Sequence, residues 1–258
     1  DNYNINSAAT SRAFFLQLNF DNDLFQDKNI TSAIAMAIDK DGFVNVLLGG
    51  HGKVANGPFP MQDGDSLNYS FSPDKSKELL SAAGWSDSDN DGYVDKDGKN
   101  FEINFLTYPG RSELPVLAQS IQSNLKDIGI KVNINSTENY LEVMKDSKAW
   151  DILASAMVTN PTGNKAYFFD MTSLSDSPKN RGHYSNAELD ELAKTLSTTF
   201  DSAKRDELAE QMSDILVDDC GFIFVSHLQM SLVSKKNVKG LTPMPSDYYE
   251  FSRDLVIE

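Results

Sequence analysis

Apolar positions along this chain recur with two different periods, and the switches between them mark out its elements. Phe14-Phe15-Leu16-Gln17-Leu18-Asn19-Phe20 is an almost unbroken apolar run of strand length, which predicts a buried strand. The small, polar residues 1–11 ahead of it read as a frayed end. Asn29 to Asp39 carries apolar residues at helical spacing, with Asn29 placed to cap the first turn. Gly49 to Pro60 is irregular chain by its density of glycine and proline. Ser72-Pro73-Asp74 starts a helix whose inner stripe is Leu79, Leu80 and Ala83, and Gly84 stops it.

Phe101 to Phe105 then alternates as a strand with one buried face, after an Asp-rich loop. Leu117, Ile121, Leu125 and Ile128 follow at helical spacing up to Gly129, and Ile130, Val132 and Ile134 alternate again. Strand, helix and strand in that order predict a parallel pair with a right-handed crossover. Trp150 to Met157 reads as a strand, and the polar stretch from Thr159 to Tyr184 as a long functional loop. Ser185-Asn186-Ala187-Glu188 has the form of a capping box opening a helix on Leu189, Leu192, Ala193 and Leu196. Asp201 caps a second helix bearing Leu208, Met212, Ile215 and Leu216. Gly221 to Val225 and Met230 to Val233 read as two strands, and Tyr248 to Ile257 as a third. Strands alternating with helices make the fold α/β, with no internal repeat and no low-complexity linker.

Composition narrows the partners. The chain has 258 residues, 40% of them hydrophobic, and a formal charge of −15. A net anion repels nucleic-acid backbones and anionic membranes, so neither is expected as the main partner. No apolar stretch reaches the length of a membrane span, and the chain opens on Asp1-Asn2-Tyr3-Asn4 rather than on an export signal. Cys220 is the single cysteine, so no internal disulfide can form.

Candidate chemistry is sparse. Asp87, Asp89, Asp91 and Asp95 stand at alternating positions around Gly92, like the opening of an EF-hand calcium loop. Position twelve is Gly98 rather than glutamate, which favours an Asp-rich hairpin; a structural Ca²⁺ at these four aspartates is the alternative, and no other cofactor is expected. No nucleophile elbow, phosphate loop or zinc-helix motif is present, and His51, His183 and His227 are scattered. His227 follows an apolar strand and reads as a hydrogen-bonded structural residue. Acidic neighbours disfavour a Cys220 thiolate. An enzyme is therefore not expected. Two loops suit binding better: Tyr108-Pro109-Gly110-Arg111, at the carboxyl end of a strand, and Asn180-Arg181-Gly182-His183-Tyr184, before a capped helix. Arginine there can pair with a carboxylate and tyrosine can stack or donate.

Several motifs in order resemble one family. They are Phe20-Asp21-Asn22 with Phe25-Gln26-Asp27, then Ala37-Ile38-Asp39-Lys40, then Gly57-Pro58-Phe59-Pro60. Phe71-Ser72-Pro73-Asp74, Ala83-Gly84-Trp85, Leu106-Thr107-Tyr108-Pro109, Leu125-Lys126-Asp127-Ile128-Gly129-Ile130 and Tyr184-Ser185-Asn186 complete the series. Together they resemble the peptide- and nickel-type (family 5) extracytoplasmic solute-binding proteins of ABC importers. Members of that family are about twice this length, so the resemblance implies the C-terminal half: a periplasmic-binding-protein-like lobe, with a mixed sheet flanked by helices, from a two-lobed hinge protein. Residues 1–20 would lie near the hinge, 21–214 would form the ligand-binding lobe, and 215–258 would return towards the other lobe.

The same resemblance implies capture of a short peptide or a nickel or other metal chelate for an ABC permease, outside the cytoplasm, free in the periplasm or lipid-anchored. Ligand contacts would come from Arg181 first, for a carboxylate, then Tyr184 and Tyr108, with Arg111, Asn180 and His183 behind them. The acidic residue that grips a peptide amino terminus has no clear match, Asp170 and Asp176 being the candidates, and a metal chelate is slightly favoured for that reason. The rival readings are a calcium-stabilised interaction module and a carboxylate-dependent hydrolase.

Overall fold

The computed structural model describes residues 2–60, 69–247 and 251–258. In chain order the elements begin with β1 (Tyr3–Leu18), α1 (Lys28–Ala37), α2 (Lys40–Gly42), β2 (Gly52–Val54) and α3 (Pro73–Ala82). A short hairpin, β3 (Asp95–Lys96) and β4 (Lys99–Asn100), leads into β5 (Glu102–Thr107), α4 (Glu113–Asp127) and β6 (Lys131–Ser136). Then come α5 (Tyr140–Val143), β7 (Ile152–Val158), α6 (Ala166–Thr172), α7 (Ala187–Thr198) and α8 (Ser202–Asp218). The chain closes with β8 (Phe222–Lys235), β9 (Val238–Lys239) and β10 (Val256–Ile257).

Six strands form one mixed sheet in the order β2-β8-β1-β7-β5-β6. The expected parallel unit is there: β5 pairs with β6 through α4, and with β7 on its other side. β1 runs antiparallel between β7 and β8. Residues Ala13 to Leu18 are buried on both faces, which is why their sequence is apolar without alternation. Phe14, Leu16 and Leu18 point into one core with α1, α3 and α4, and Phe15 into the other with α6, α7 and α8. That second core is largely aromatic: the Phe15 ring packs edge-on to Phe168, with centroids 5.8 Å apart, and also contacts Phe222 and Phe224.

Several sequence expectations change. The first residues are not frayed: Tyr3 to Ala9 pair in register with Gln229 to Lys235, because β8 is one strand rather than two. Asp27, not Asn29, caps α1 through the Asn29 N–H, and Asn186, not Ser185, caps α7 by accepting from Glu188 and Leu189. Ser72 makes no side-chain cap, so Pro73 alone sets the start of α3. The long stretch from Thr159 to Tyr184 contains α6, whose Phe168 and Phe169 are fully buried. Of the expected terminal strand only Val256–Ile257 forms, against β9, while Tyr248 to Glu250 lie outside the described residues. Gly129, at φ +82°, ends α4 with Val94 so close that a side chain would have to displace it.

Candidate functional site

A recess of about 160 Å³ opens on the sheet face shared by β1 and β7. Its floor is Phe15 and Gln17 of β1 with Leu153, Ser155 and Met157 of β7. Side chains two apart share a face of a strand, and the register Phe15↔Ser155 and Gln17↔Leu153 places these residues side by side. One wall is Tyr108, immediately after β5, stacked on Tyr140 of α5 with ring centroids 4.4 Å apart and planes 22° from parallel. The opposite wall holds Lys179 and Arg181. The two loops singled out in the sequence therefore meet across one concavity. α5 is held beneath by a small apolar cluster of Leu106, Trp150 and Leu153, against which Tyr140, Val143 and Met144 pack.

The chain leading to Arg181 is tightly fixed. The Arg181 N–H donates to Gln17 Oε1 (3.1 Å), and Phe20 N–H donates to the Gly182 carbonyl (2.7 Å). A methyl group at Gly182 would sit 1.8 Å from the Leu18 carbonyl oxygen, so only glycine lets the loop lie this close to β1. The guanidinium of Arg181 and the ammonium of Lys179 have no side-chain partner among the described residues. Tyr108 Oη accepts the Ala156 N–H (3.3 Å), and burial raises the Tyr108 pKa, so the phenol keeps its proton. Arg111 and Arg12 both lie near enough to counter that rise. Arg12 is committed to an ion pair with buried Asp247.

Other candidates fall elsewhere. Tyr184 is buried; its hydroxyl donates to Asp219 Oδ2 (2.7 Å), and its ring packs edge-on to Phe20 and Phe222. Asn180 is spent on backbone: its amide donates to the Leu174 and Tyr184 carbonyls, and its oxygen accepts the Tyr184 N–H. His183, at φ +53°, turns its ring to Asp21 (Nδ1–Oδ1 3.0 Å). His183 and Tyr184 line a separate hollow of about 270 Å³ with Phe20, Phe25 and Lys28. Arg111 lies outside the lining of the recess, as do Asp170 and Asp176. Gln17, Tyr140 and Lys179 line the recess without having been singled out in the sequence. Gln17 was readable, with Asn19, as a polar residue inside an apolar strand.

The Asp-rich segment closes on itself. Carboxylate oxygens of Asp87, Asp89 and Asp95 lie within 4.8 Å of one another and could hold a metal ion, whereas Asp91 instead accepts from Asn100 and from the Tyr93 N–H. Asp97 and Gly98, both at positive φ, make the hairpin turn. Cys220 is buried and burial raises its thiol pKa, so no nucleophile is exposed there. His227 is also buried, yet neither ring nitrogen has a hydrogen-bond partner among the described residues, against expectation. The Gly57 backbone lies near enough to favour the charged ring slightly; burial dominates and lowers the pKa to about 4. A larger groove of about 480 Å³ lies beside α6 and α8, but Lys165 there is paired with Asp206, and Arg205 with the Leu196 and Thr199 carbonyls.

An α/β lobe with a donor-lined recess where parallel strands end is a ligand-binding architecture. The chain belongs to the bacterial extracellular solute-binding proteins, family 5: the model of the family's middle region matches residues 1–179. This is a family of solute binders rather than of enzymes. Among similar proteins, the oligopeptide-binding protein AppA of Bacillus subtilis is 28% identical over 249 residues, covering 93% of this chain and 46% of that protein. The nickel-binding protein NikA of Staphylococcus aureus is 27% identical over 231 residues, covering 90% of this chain and 46% of that protein. A nickel ABC transporter structure from Bacillus halodurans superposes with a TM-score of 0.84 at 27% identity, covering all of this chain and 54% of the other. The Staphylococcus aureus NikA complex with Ni(L-His)2 shares the fold, with a TM-score of 0.82 at 24% identity, over all of this chain and 54% of that one. The chain spans about half the length of the curated relatives it matches.

Proposed function

We propose that this chain forms one wall of a ligand cleft, in a solute-binding protein that delivers a short peptide or a nickel chelate to an ABC permease outside the cytoplasm. The carrying observation is the recess between Tyr108–Tyr140 and Lys179–Arg181, with polar groups left unused. Its volume of about 160 Å³ falls short of the several hundred Å³ of a complete small-molecule pocket, as expected of one wall. The relatives' printed names, a nickel-binding and an oligopeptide-binding protein, supply the two ligand classes.

In this reading residues 21–214 are the ligand-binding lobe, and 1–20 and 215–258 reach the hinge through their outer ends, Tyr3–Ala9 and Gln229–Lys235. The partners are a second lobe that closes over the recess and the permease. Lipid anchoring and a structural Ca²⁺ at the Asp87–Asp95 loop belong to the same proposal. The test is native mass spectrometry of the protein expressed from its whole reading frame. A retained peptide or metal complex that is lost in Arg181→Ala is the expected result. Absence of any adduct, with no thermal shift on adding peptides or nickel complexes, would overturn the reading.

A further inference from the structure

We infer that Asn56–Gly57, in the loop after β2, is a self-modification site, where the asparagine side chain turns into aspartate and isoaspartate without an enzyme. The inference is independent of the cleft reading above. Asn56–Gly57 is the one asparagine–glycine pair in the chain. In the reaction the Gly57 nitrogen attacks Asn56 Cγ, the Cγ–Nδ2 bond breaks, and ammonia leaves with the proton that the Gly57 nitrogen gives up. The cyclic imide then takes up water and opens at either carbonyl. One opening gives aspartate; the other gives isoaspartate, whose main chain runs through the former side chain. Glycine at the second position favours the attack because no Cβ crowds its nitrogen.

Both reacting groups are uncommitted. Asn56 is exposed, and its amide has no hydrogen-bond partner among the described residues. The Gly57 N–H has none either: residues 55–60 lie outside helix and strand, and Ala55 makes the last bond to β8, through the Val225 carbonyl. Glycines after aspartate are held instead. Gly42 N–H donates to Asp39 Oδ1 (2.7 Å), and Gly92 N–H to Asp87 Oδ2 (3.1 Å). Asn19, Asn22, Asn180 and Asn186 are likewise spent on hydrogen bonds within the fold.

The surroundings set different fates for the two products. Asn56 and Lys40 line one small cavity with Tyr69 and Cys220, and Lys40 Nζ lies 3.5 Å from the carbonyl oxygen of Ala55, the residue before Asn56. Lys40 is half-buried as a residue, but its amine end is enclosed, which lowers its pKa to about 8, and it pairs with no carboxylate among the described residues. Aspartate at position 56 would supply that missing counter-charge. Isoaspartate brings the same charge but lengthens a stretch of main chain that is fixed on both sides. Ala55 is bonded to Val225 before it, Phe59 is packed edge-on against Phe168 and Phe169 after it, and Gly57 is buried beside His227. In a close-packed interior the extra atom must displace one of these contacts.

The test ages the folded chain in mildly alkaline buffer at physiological temperature, then maps its peptides by mass spectrometry with fragmentation that separates aspartate from isoaspartate. The expected result is replacement of the Asn56 amide NH₂ by OH ahead of Asn29 and Asn237, which precede β-branched residues, with both isomers formed. Asn56→Gln should lose this signal, because its longer side chain has to close a larger ring. Freshly purified Asn56→Asp should unfold at a urea midpoint no lower than that of the unaged chain, whereas the aged chain should gain an earlier transition in proportion to its isoaspartate. An Asn56 that stays intact, or changes no faster than Asn29 and Asn237, would overturn the inference. A lower midpoint in Asn56→Asp would overturn the pairing with Lys40, and isoaspartate that leaves the midpoint unmoved would overturn the strain assigned to the loop.

Discussion

His227 sits within β8 with its ring 1% exposed, opposite Ala13 on one side and Lys53 on the other. Burial penalises the imidazolium, and the nearby Lys53 adds repulsion, so its pKa falls from 6.5 to about 4. In the unfolded chain the same ring takes up a proton near its ordinary value. Between those two values the unfolded state binds more protons, so His227 makes stability fall as pH drops from about 6.5 towards 4. The full difference is on the order of 3 kcal/mol. Urea unfolding at pH 7 and at pH 4.5 should show this loss in the native chain and a smaller one in His227→Gln. Equal losses in both would remove His227 as the cause, leaving the carboxylates. The apolar run before His227 marks it as structural in the sequence, but strand pairing across β1 and β2 decides that its ring is fully enclosed.

At the scale of elements, the start of α7 is tied to the end of α8 through one carboxylate. Asp219 Oδ2 accepts from the Tyr184 hydroxyl (2.7 Å) and from Asn186 Nδ2 (2.8 Å), while Asn186 Oδ1 caps α7. Tyr184→Phe should cost about 1–2 kcal/mol, because the half-buried Asp219 carboxylate loses one of its two donors. Asn186→Ala should cost about 1–2 kcal/mol for the cap and the shared bond together. The two losses should not add, since both act on the same oxygen; a double-mutant cycle by chemical denaturation measures the coupling, and strict additivity would contradict the shared anchor. The sequence reads Tyr184 as a ligand contact, whereas the structure bonds its hydroxyl to Asp219. A tyrosine before a capped helix has the same local signature whether its hydroxyl meets a ligand or an aspartate from a distant turn. The parallel β5–α4–β6 unit was legible because its contacts are close in sequence. Tyr108 and Arg181 were legible as positions at the ends of elements and both line the recess, but Gln17 and Tyr140 needed the β1–β7 register and the α5 packing to be placed with them.

Across the whole molecule, the sheet is well covered at its centre and bare at one end. Beyond Thr10 and His227, strands β1 and β8 continue as a ribbon of mostly exposed and half-buried residues. Ile5 and Val233 are partners on this ribbon, 69% and 60% exposed, and Tyr3 lies beyond them at 59%. A sequence alone reads such small, mixed residues as a loose end, because the apolar pattern that defines a strand requires a covering layer that the described residues do not supply over Ile5 and Val233. Burying Ile5 and Val233 would contribute roughly 1.5–3 kcal/mol each, enough to favour self-association when nothing else covers them. Light scattering on the chain should therefore show an average mass rising with protein concentration. Ile5→Glu with Val233→Lys keeps a cross-strand pair of opposite charge while removing the apolar surface, and should restore the monomer without shifting the unfolding midpoint appreciably. A wild-type chain that stays monomeric over the whole concentration range would show that the ribbon needs no partner, and would weaken the assignment of these strands to a hinge that docks on a second lobe.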